Sequence, residues 1–213
     1  MDITLNQKDT GYRGIWYYNQ PSGDEYVYKY SGGLGTYCAK HRPFAVYRPQ
    51  VDKTFFCYGG TPLDAHLKHR VEDLNGDRSF SRQREGFLLH MISYFDHKTG
   101  QVPRPTLLLD KNTADAHDNP VISVCDDGYI WIFSTSHGLS RPSHVHRSSE
   151  PYNIDTIEQI HVTYLLNGEA RPMDNFSYMQ AWQLANRGFI NLVTRYKDPS
   201  DRTLFFMTSP DGT

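Results

Sequence analysis

Apolar and polar residues alternate over short runs of this chain, a period of two that predicts β-strands rather than helices. Glycine, proline, aspartate and asparagine separate the runs and favour turns. Three successive pairs of runs are each predicted to form a β-hairpin, because each pair is joined by a short polar link. The pairs are Phe44–Tyr47 with Lys53–Tyr58, Pro120–Val124 with Tyr129–Ser134, and Ala181–Leu184 with Phe189–Tyr196.

The hairpins belong to a longer repeat, because a third predicted strand follows each of them: Phe87–Phe95, Ser143–Arg147 and Thr203–Met207. Repeats made only of strands predict an all-β fold, a β-propeller of four-stranded antiparallel blades. The predicted units are 38–110, 115–175 and an incomplete 176–213, all within one partial propeller domain over 1–213. A closed ring needs about four to eight blades. We therefore expect these three blades to be part of a longer propeller.

Composition supports strands and narrows the range of partners. Aromatic residues make up 14% of the 213 residues, including 15 Tyr and 11 Phe, and such residues favour sheets. The 22 Lys and Arg nearly balance the 24 Asp and Glu, so we expect no nucleic-acid or membrane partner. No apolar run reaches the roughly 18 residues of a membrane-spanning helix. Cys38, Cys57 and Cys125 are unevenly spaced and are predicted to be unreactive thiols.

Several segments resemble one family of repeat proteins. They are Gly11–Trp16, Lys29–Tyr37, His41–Ala45, His117–Pro120 and Ser136–Gly138, together with the turn Ser209–Gly212, which resembles the start of an Asp box. Together they resemble the BNR-repeat β-propeller family that includes ulvan-type polysaccharide lyases. The resemblance covers nearly the whole chain, as the N-terminal portion of a family member, and implies seven blades in the complete ring.

The resemblance implies a polysaccharide lyase that cleaves a uronate-containing glycan, either sulfated as ulvan is or unsulfated, by β-elimination. The implied catalytic residues are His117, His137, Tyr178 and Arg195, and the candidate substrate-binding residues are Asn119, Arg42 and His41. The expected partner is an anionic polysaccharide. The chemistry requires no cofactor, and a structural metal ion remains an open question at this point.

Hairpin geometry and side-chain chemistry agree with this assignment. The start of one antiparallel strand and the end of the next lie at the same end of a hairpin, so His117 and His137 are expected at one rim. Arg195 could bind a carboxylate through both of its terminal nitrogens. A neutral imidazole accepts a proton near neutral pH. His117 is the first choice as base and Tyr178 as acid, and the two roles could be exchanged.

Other interpretations of the same residues remain open. His117–Pro120 could be an ordinary turn, and Tyr178 with Arg195 an ordinary aromatic–cation pair. His144 and His146 have the spacing of two metal ligands on one strand, although buried or solvent-facing histidines would give the same pattern. A sialidase-like glycoside hydrolase and a non-catalytic glycan-binding propeller are the alternative functions. The polar N-terminal segment favours the cytoplasm, whereas the resemblance favours a secreted or periplasmic protein.

Overall fold

The computed structural model describes residues 3–9, 41–60, 88–113, 116–139, 141–184, 188–197 and 201–209. Within these ranges the regular structure is almost entirely β-strand, with one short 3-10 turn at Ala116–Asp118. No helix in the described ranges is long and apolar enough to cross a membrane. Outside these ranges lie Cys38, the segments Gly11–Trp16 and Lys29–Tyr37, and all but the first residue of the turn Ser209–Gly212.

Fourteen strands are present in the described ranges. They are β1 Gln7–Lys8, β2 Ala45–Arg48, β3 Lys53–Gly60, β4 Leu89–Asp96, β5 Thr106–Asp110, β6 Pro120–Val124, β7 Ile130–Ser134, β8 His144–Ser148, β9 Ile157–Ile160, β10 Thr163–Leu166, β11 Glu169–Pro172, β12 Ser177–Gln183, β13 Phe189–Tyr196 and β14 Arg202–Ser209. The three predicted hairpins are confirmed, as β2–β3, β6–β7 and β12–β13. The predicted third strands are confirmed as β4, β8 and β14.

These strands form three antiparallel sheets and one separate hairpin. The first sheet has the order β1-β5-β4-β3-β2, the second β6-β7-β8-β9 and the third β12-β13-β14. Strands β10 and β11 pair only with each other. Apart from β1, which pairs with β5, the neighbours in each sheet are successive strands. The fold therefore agrees with the predicted all-β, partial propeller-like architecture.

The second sheet is packed on both faces. Successive side chains of a strand point to opposite faces, and here Ile122 and Ile132 pack towards the first sheet while Val121 and Phe133 pack towards the third. All residues of β6 and β7 are buried as a result. Two apolar cores therefore stack the three sheets face to face.

The chain before β2 runs beside the third sheet. The Arg42 amide donates to the Met179 carbonyl at 3.0 Å, and the Ala181 amide donates to the Arg42 carbonyl at 2.9 Å. These bonds form a short parallel bridge between Arg42 and Gln180. They bring a segment of the first blade against β12, where the candidate tyrosine lies.

Candidate active site

Two histidine rings lie against each other at one end of the second sheet. His117 lies in the 3-10 turn before β6, and His137 follows β7. Pro120 pairs with Ser134 in the β6–β7 ladder, so the two loops leave the sheet side by side. The ring centroids are 4.0 Å apart and the ring planes are inclined by 20°. His117 is buried and His137 is half-buried.

Tyr178 of the third sheet packs edge-on against both histidines. Its ring centroid is 5.6 Å from that of His117, at an interplanar angle of 87°, and 6.2 Å from that of His137. The β12–β13 register shifts between Ser177 and Gln180, and Tyr178 has a φ of 51° there. A left-handed conformation costs a non-glycine residue about 1–2 kcal/mol. Bulges of this kind often redirect a side chain beside an active site.

The candidate binding residues lie around these three rings. His41 is buried, with its ring 5.6 Å from that of Tyr178. Arg42 is exposed beside it. Asn119 is buried, and its side-chain amide has no hydrogen-bond partner among the described residues. The backbone carbonyl of Asn119 accepts a hydrogen bond from the Thr135 hydroxyl at 2.8 Å.

Arg195 lies at the same end of the third sheet, but its side chain points away from the histidines. Its Nε donates to the Asn175 carbonyl at 3.1 Å. The guanidinium lies 4.7 Å from the ring centroid of Tyr164 and 5.6 Å from that of Phe205. The neighbouring Tyr196 points to the opposite face of β13, and its ring lies 5.5 Å from that of His137.

A cavity of about 280 Å³ lies on the side of β13 where Arg195 is found. Its lining residues are Leu166, Arg171, Arg195, Tyr196, Lys197, Thr203 and Phe205. Three of these side chains are cationic, although Arg171 pairs with Glu169 and Lys197 with Asp201. Burial lowers the pKa of Arg195 from its usual high value. The cavity therefore lies on the Arg195 face of β13, opposite to the face that meets His137, and its cationic lining suits acidic groups of a ligand.

Next to the two histidines, Asp118, Arg141 and Lys111 form a buried ionic network that the sequence analysis did not predict. Asp118 accepts hydrogen bonds from the His137 amide at 2.7 Å and from Nε of Arg141 at 2.9 Å. Nζ of Lys111 lies 3.8 Å from the same carboxylate and donates to the Ser136 hydroxyl at 2.6 Å. The one sequence signal was that Asp118 directly follows His117, a position that also suits an ordinary turn.

Burial shifts the protonation of two groups in this region. It lowers the pKa of Lys111 to about 8, and Arg141 acts in the same direction while Asp118 opposes the change. Burial also holds the pKa of His90 well below its usual value. Nε2 of His90 lies 2.8 Å from the Asp118 carbonyl, which can only accept, so this nitrogen carries the proton. His90 thereby joins the first sheet to the histidine loop.

The pair His144 and His146 lies on β8 with ring centroids 6.2 Å apart. Nδ1 of His144 lies 3.2 Å from the Gln159 amide nitrogen. Across the ranges that the structure describes, no three histidine, cysteine or acidic side chains are grouped closely enough to hold a metal ion. Cys57 and Cys125 are both buried free thiols, as expected.

Comparison with known proteins gives a likeness at the level of the fold. No protein-family model and no curated protein matches the chain. Among solved structures, the chain is similar to an ulvan lyase of polysaccharide lyase family PL25, at 19% identity and a TM-score of 0.50. The match covers 79% of this chain and 35% of that one.

A second solved structure, at 18% identity and a TM-score of 0.50, is that ulvan lyase bound to a glucuronic acid–rhamnose 3-sulfate saccharide. It has the same coverage, 79% of this chain and 35% of the other. The present chain therefore spans about a third of the length of the solved structures that it matches. At identities this low, the similarity supports only the fold, which the order of the strands also indicates.

Proposed function

We propose that this chain carries the catalytic residues of a polysaccharide lyase that cleaves a uronate-containing, sulfated glycan by β-elimination. The observation that carries the proposal is the contact of three proton-transfer groups, His117, His137 and Tyr178, at one rim. The fold likeness to ulvan lyases supports the reaction class. The complete propeller that we expect around this site would have seven blades.

The reaction needs a base and an acid close to one another. The base removes the proton from the carbon next to the uronate carboxylate. The electron pair then forms a carbon–carbon double bond, and the glycosidic oxygen leaves with a proton from the acid. Neutral His117 is our proposed base and the Tyr178 hydroxyl the proposed acid, both near enough to act on one sugar ring. His137 stacks on His117 and limits its rotation.

The anionic polymer would extend towards the cationic cavity. Arg195 is our proposed ligand for a carboxylate or sulfate there, because guanidinium binds such groups with two parallel hydrogen bonds. Its stacking on Tyr164 and Phe205 fixes the plane of the guanidinium in advance. Arg42 is exposed and would contact the sugar beside Tyr178, whereas His41 and Asn119 are buried and would act by holding the neighbouring rings in place.

The test is ultraviolet absorbance during incubation with a panel of uronate polysaccharides. We expect a rise from the new conjugated double bond. Tyr178→Phe removes only the hydroxyl and should lower the rate by about 10²- to 10⁴-fold, the usual contribution of general acid–base catalysis. Tyr47→Phe is the matched control, because Tyr47 is exposed and its hydroxyl donates a hydrogen bond to Asp52 at the surface.

Two outcomes would contradict the lyase, and a third would contradict the role of Tyr178. New reducing ends without absorbance would indicate a hydrolase. Glycan binding that survives His117→Gln, with no cleavage by the wild type, would indicate a non-catalytic propeller. Equal rates for Tyr178→Phe and Tyr47→Phe would remove Tyr178 from the mechanism.

A further inference from the structure

Asp118 is a fully buried carboxylate that connects the two histidine loops. Its side chain has 0% exposure. The residue follows His117 directly in the chain, and its Oδ1 accepts the backbone N–H of His137 at 2.7 Å. One residue therefore joins the backbone that carries one stacked ring to the backbone that carries the other.

The surroundings of Asp118 fix the direction of its carboxylate. Arg141 donates through Nε to Oδ2 at 2.9 Å and through a terminal nitrogen to Oδ1 at 3.3 Å. A buried carboxylate is stable only when it is paired and hydrogen-bonded. Arg141 and Lys111 supply the charge, and Lys111 is itself held by the Ser136 hydroxyl and the Pro142 carbonyl.

The backbone on each side of Asp118 is fixed as well. The Asp118 carbonyl accepts a hydrogen bond from His90, at 2.8 Å. The Thr135 hydroxyl lies 2.9 Å from the His117 carbonyl and 2.8 Å from the Asn119 carbonyl. The turn that carries His117 is therefore attached to β4 and to the segment after β7 that carries His137.

We propose that Asp118, held by Arg141 and Lys111, is the positioning residue that keeps His117 and His137 stacked in the geometry that proton transfer requires. This inference rests on the proposed function for its kinetic consequence. The bonds of the Asp118 carboxylate are to a backbone amide and to two cations, so it acts through the positions of the histidines. A displacement of about 1 Å in a catalytic group can cost roughly 100-fold in rate.

The test combines a kinetic measurement with a structural one. Asp118→Asn keeps the size of the side chain and removes its charge. We expect kcat to fall by about 10- to 100-fold with KM within about two-fold, because the substrate contacts are intact. In protein with isotope-labelled histidine, the nuclear Overhauser cross-peak between the His117 and His137 rings should weaken.

Two further variants keep the test decisive. Arg141→Gln serves if Asp118→Asn fails to fold. It removes the cation that pairs with Asp118, from a partly exposed position, and should likewise lower kcat and weaken the cross-peak. Asp155→Asn is the matched control, since it breaks an exposed ion pair with Lys8 and leaves the histidine loops untouched.

The two readouts separate the positioning role from the proposed function. A folded Asp118→Asn protein with an unchanged cross-peak would overturn the inference, whatever its activity. So would an unchanged kcat in an active enzyme. A wild type without lyase activity would contradict the proposed function alone, because the cross-peak still reports whether Asp118 holds the rings together.

Discussion

His144 shows how burial of one residue links stability to pH. Burial, followed by the charges of Lys111 and His161, lowers the pKa of His144 to about 4. Its Nδ1 accepts a hydrogen bond from the Gln159 amide, which is possible only while that nitrogen is unprotonated. The fold therefore contains this imidazole in its neutral form.

The stability of the protein should consequently fall as the pH drops from about 6.5 to about 4. In that window the unfolded chain binds a proton at His144 that the folded chain does not, so acid favours unfolding. Above pH 6.5 the residue is neutral in both states and has no such effect. His90, whose pKa is also lowered by burial, acts in the same direction. Urea denaturation at pH 7 and pH 5 would measure the change.

His144→Asn should reduce the difference between the two urea midpoints, because it removes an imidazole whose pKa burial lowers. The matched substitution is His97→Asn, at an exposed histidine of the first sheet. Equal effects of the two substitutions on the pH dependence would show that burial of His144 is not its cause.

Single residues also show what sequence can reveal about a site. Hairpin geometry predicted that His117 and His137 lie at one rim, because the ends of paired strands coincide whatever the details of packing. The left-handed conformation of Tyr178 depends on a register shift that no local pattern encodes. Asp118 has the sequence of a turn residue, and only its distance from Arg141 reveals the ionic network.

At the scale of elements, burial on two faces explains why β6 and β7 are nearly continuous apolar runs. Each strand packs on the first sheet with one set of side chains and on the third sheet with the other. The β14 strand shows the opposite behaviour, with alternating exposed and half-buried residues. The positions of the three hairpins and of the strand after each were predictable from sequence, whereas the number of covered faces required the packed structure.

The β10–β11 hairpin was not predicted, although its turn carries a strong signal. Asn167 and Gly168 have φ values of 54° and 85°, as a type I′ turn requires, and the Asn-Gly pair favours such turns. Its flanking strands are short and mostly exposed. Because apolar and polar residues alternate only weakly in these two strands, the Asn-Gly turn was the main sequence signal for the hairpin.

The turn between β6 and β7 contains a glycine, Gly128, that should not tolerate an added methyl group. Gly128 has a φ of +88°, and a Cβ added there would lie 2.6 Å from the Tyr152 ring and 2.9 Å from Pro151. Gly128→Ala should cost about 3 kcal/mol of the free energy of unfolding, from backbone strain of about 1–2 kcal/mol and overpacking of about 1–3 kcal/mol. Urea denaturation would measure the loss.

Gly100→Ala is the matched control, because Gly100 has a φ of +68° and its added Cβ would meet nothing within 4 Å. It should therefore show only the strain of about 1–2 kcal/mol. Similar losses at the two positions would mean that the loop around Tyr152 moves aside without cost.

On the scale of the whole molecule, the first and second sheets are joined by more than their apolar core. They are also connected at their outer edges by the segment that contains β1. The third sheet has an open apolar face among the described residues, where Leu204 and Phe206 are each 66% exposed. In the segment that contains β1, this strand pairs with β5 of the first sheet, and Asn6 hydrogen-bonds to β9 of the second sheet.

Asn6 makes that connection with a single side chain. Its Nδ2 donates to the Ile157 carbonyl at 2.7 Å, and its Oδ1 accepts the Ile157 amide at 2.9 Å. The amide side chain thus satisfies both backbone groups of an edge residue, as a neighbouring strand would. Asn6 has a φ of 46°, a conformation that asparagine tolerates better than most residues.

Asn6→Gly should therefore weaken the link between the two sheets without adding backbone strain, because glycine adopts this φ freely. The loss of two hydrogen bonds should cost about 1–3 kcal/mol of the free energy of unfolding, and the Ile157 amide should exchange with solvent faster. Lys8→Ala, which breaks the neighbouring exposed ion pair with Asp155, should cost less than about 1 kcal/mol and leave that exchange unchanged. Unaltered protection of the Ile157 amide in Asn6→Gly would show that the two Asn6 hydrogen bonds do not hold this edge closed. Faster exchange confined to β9 would instead show that this edge opens independently of the histidine rim.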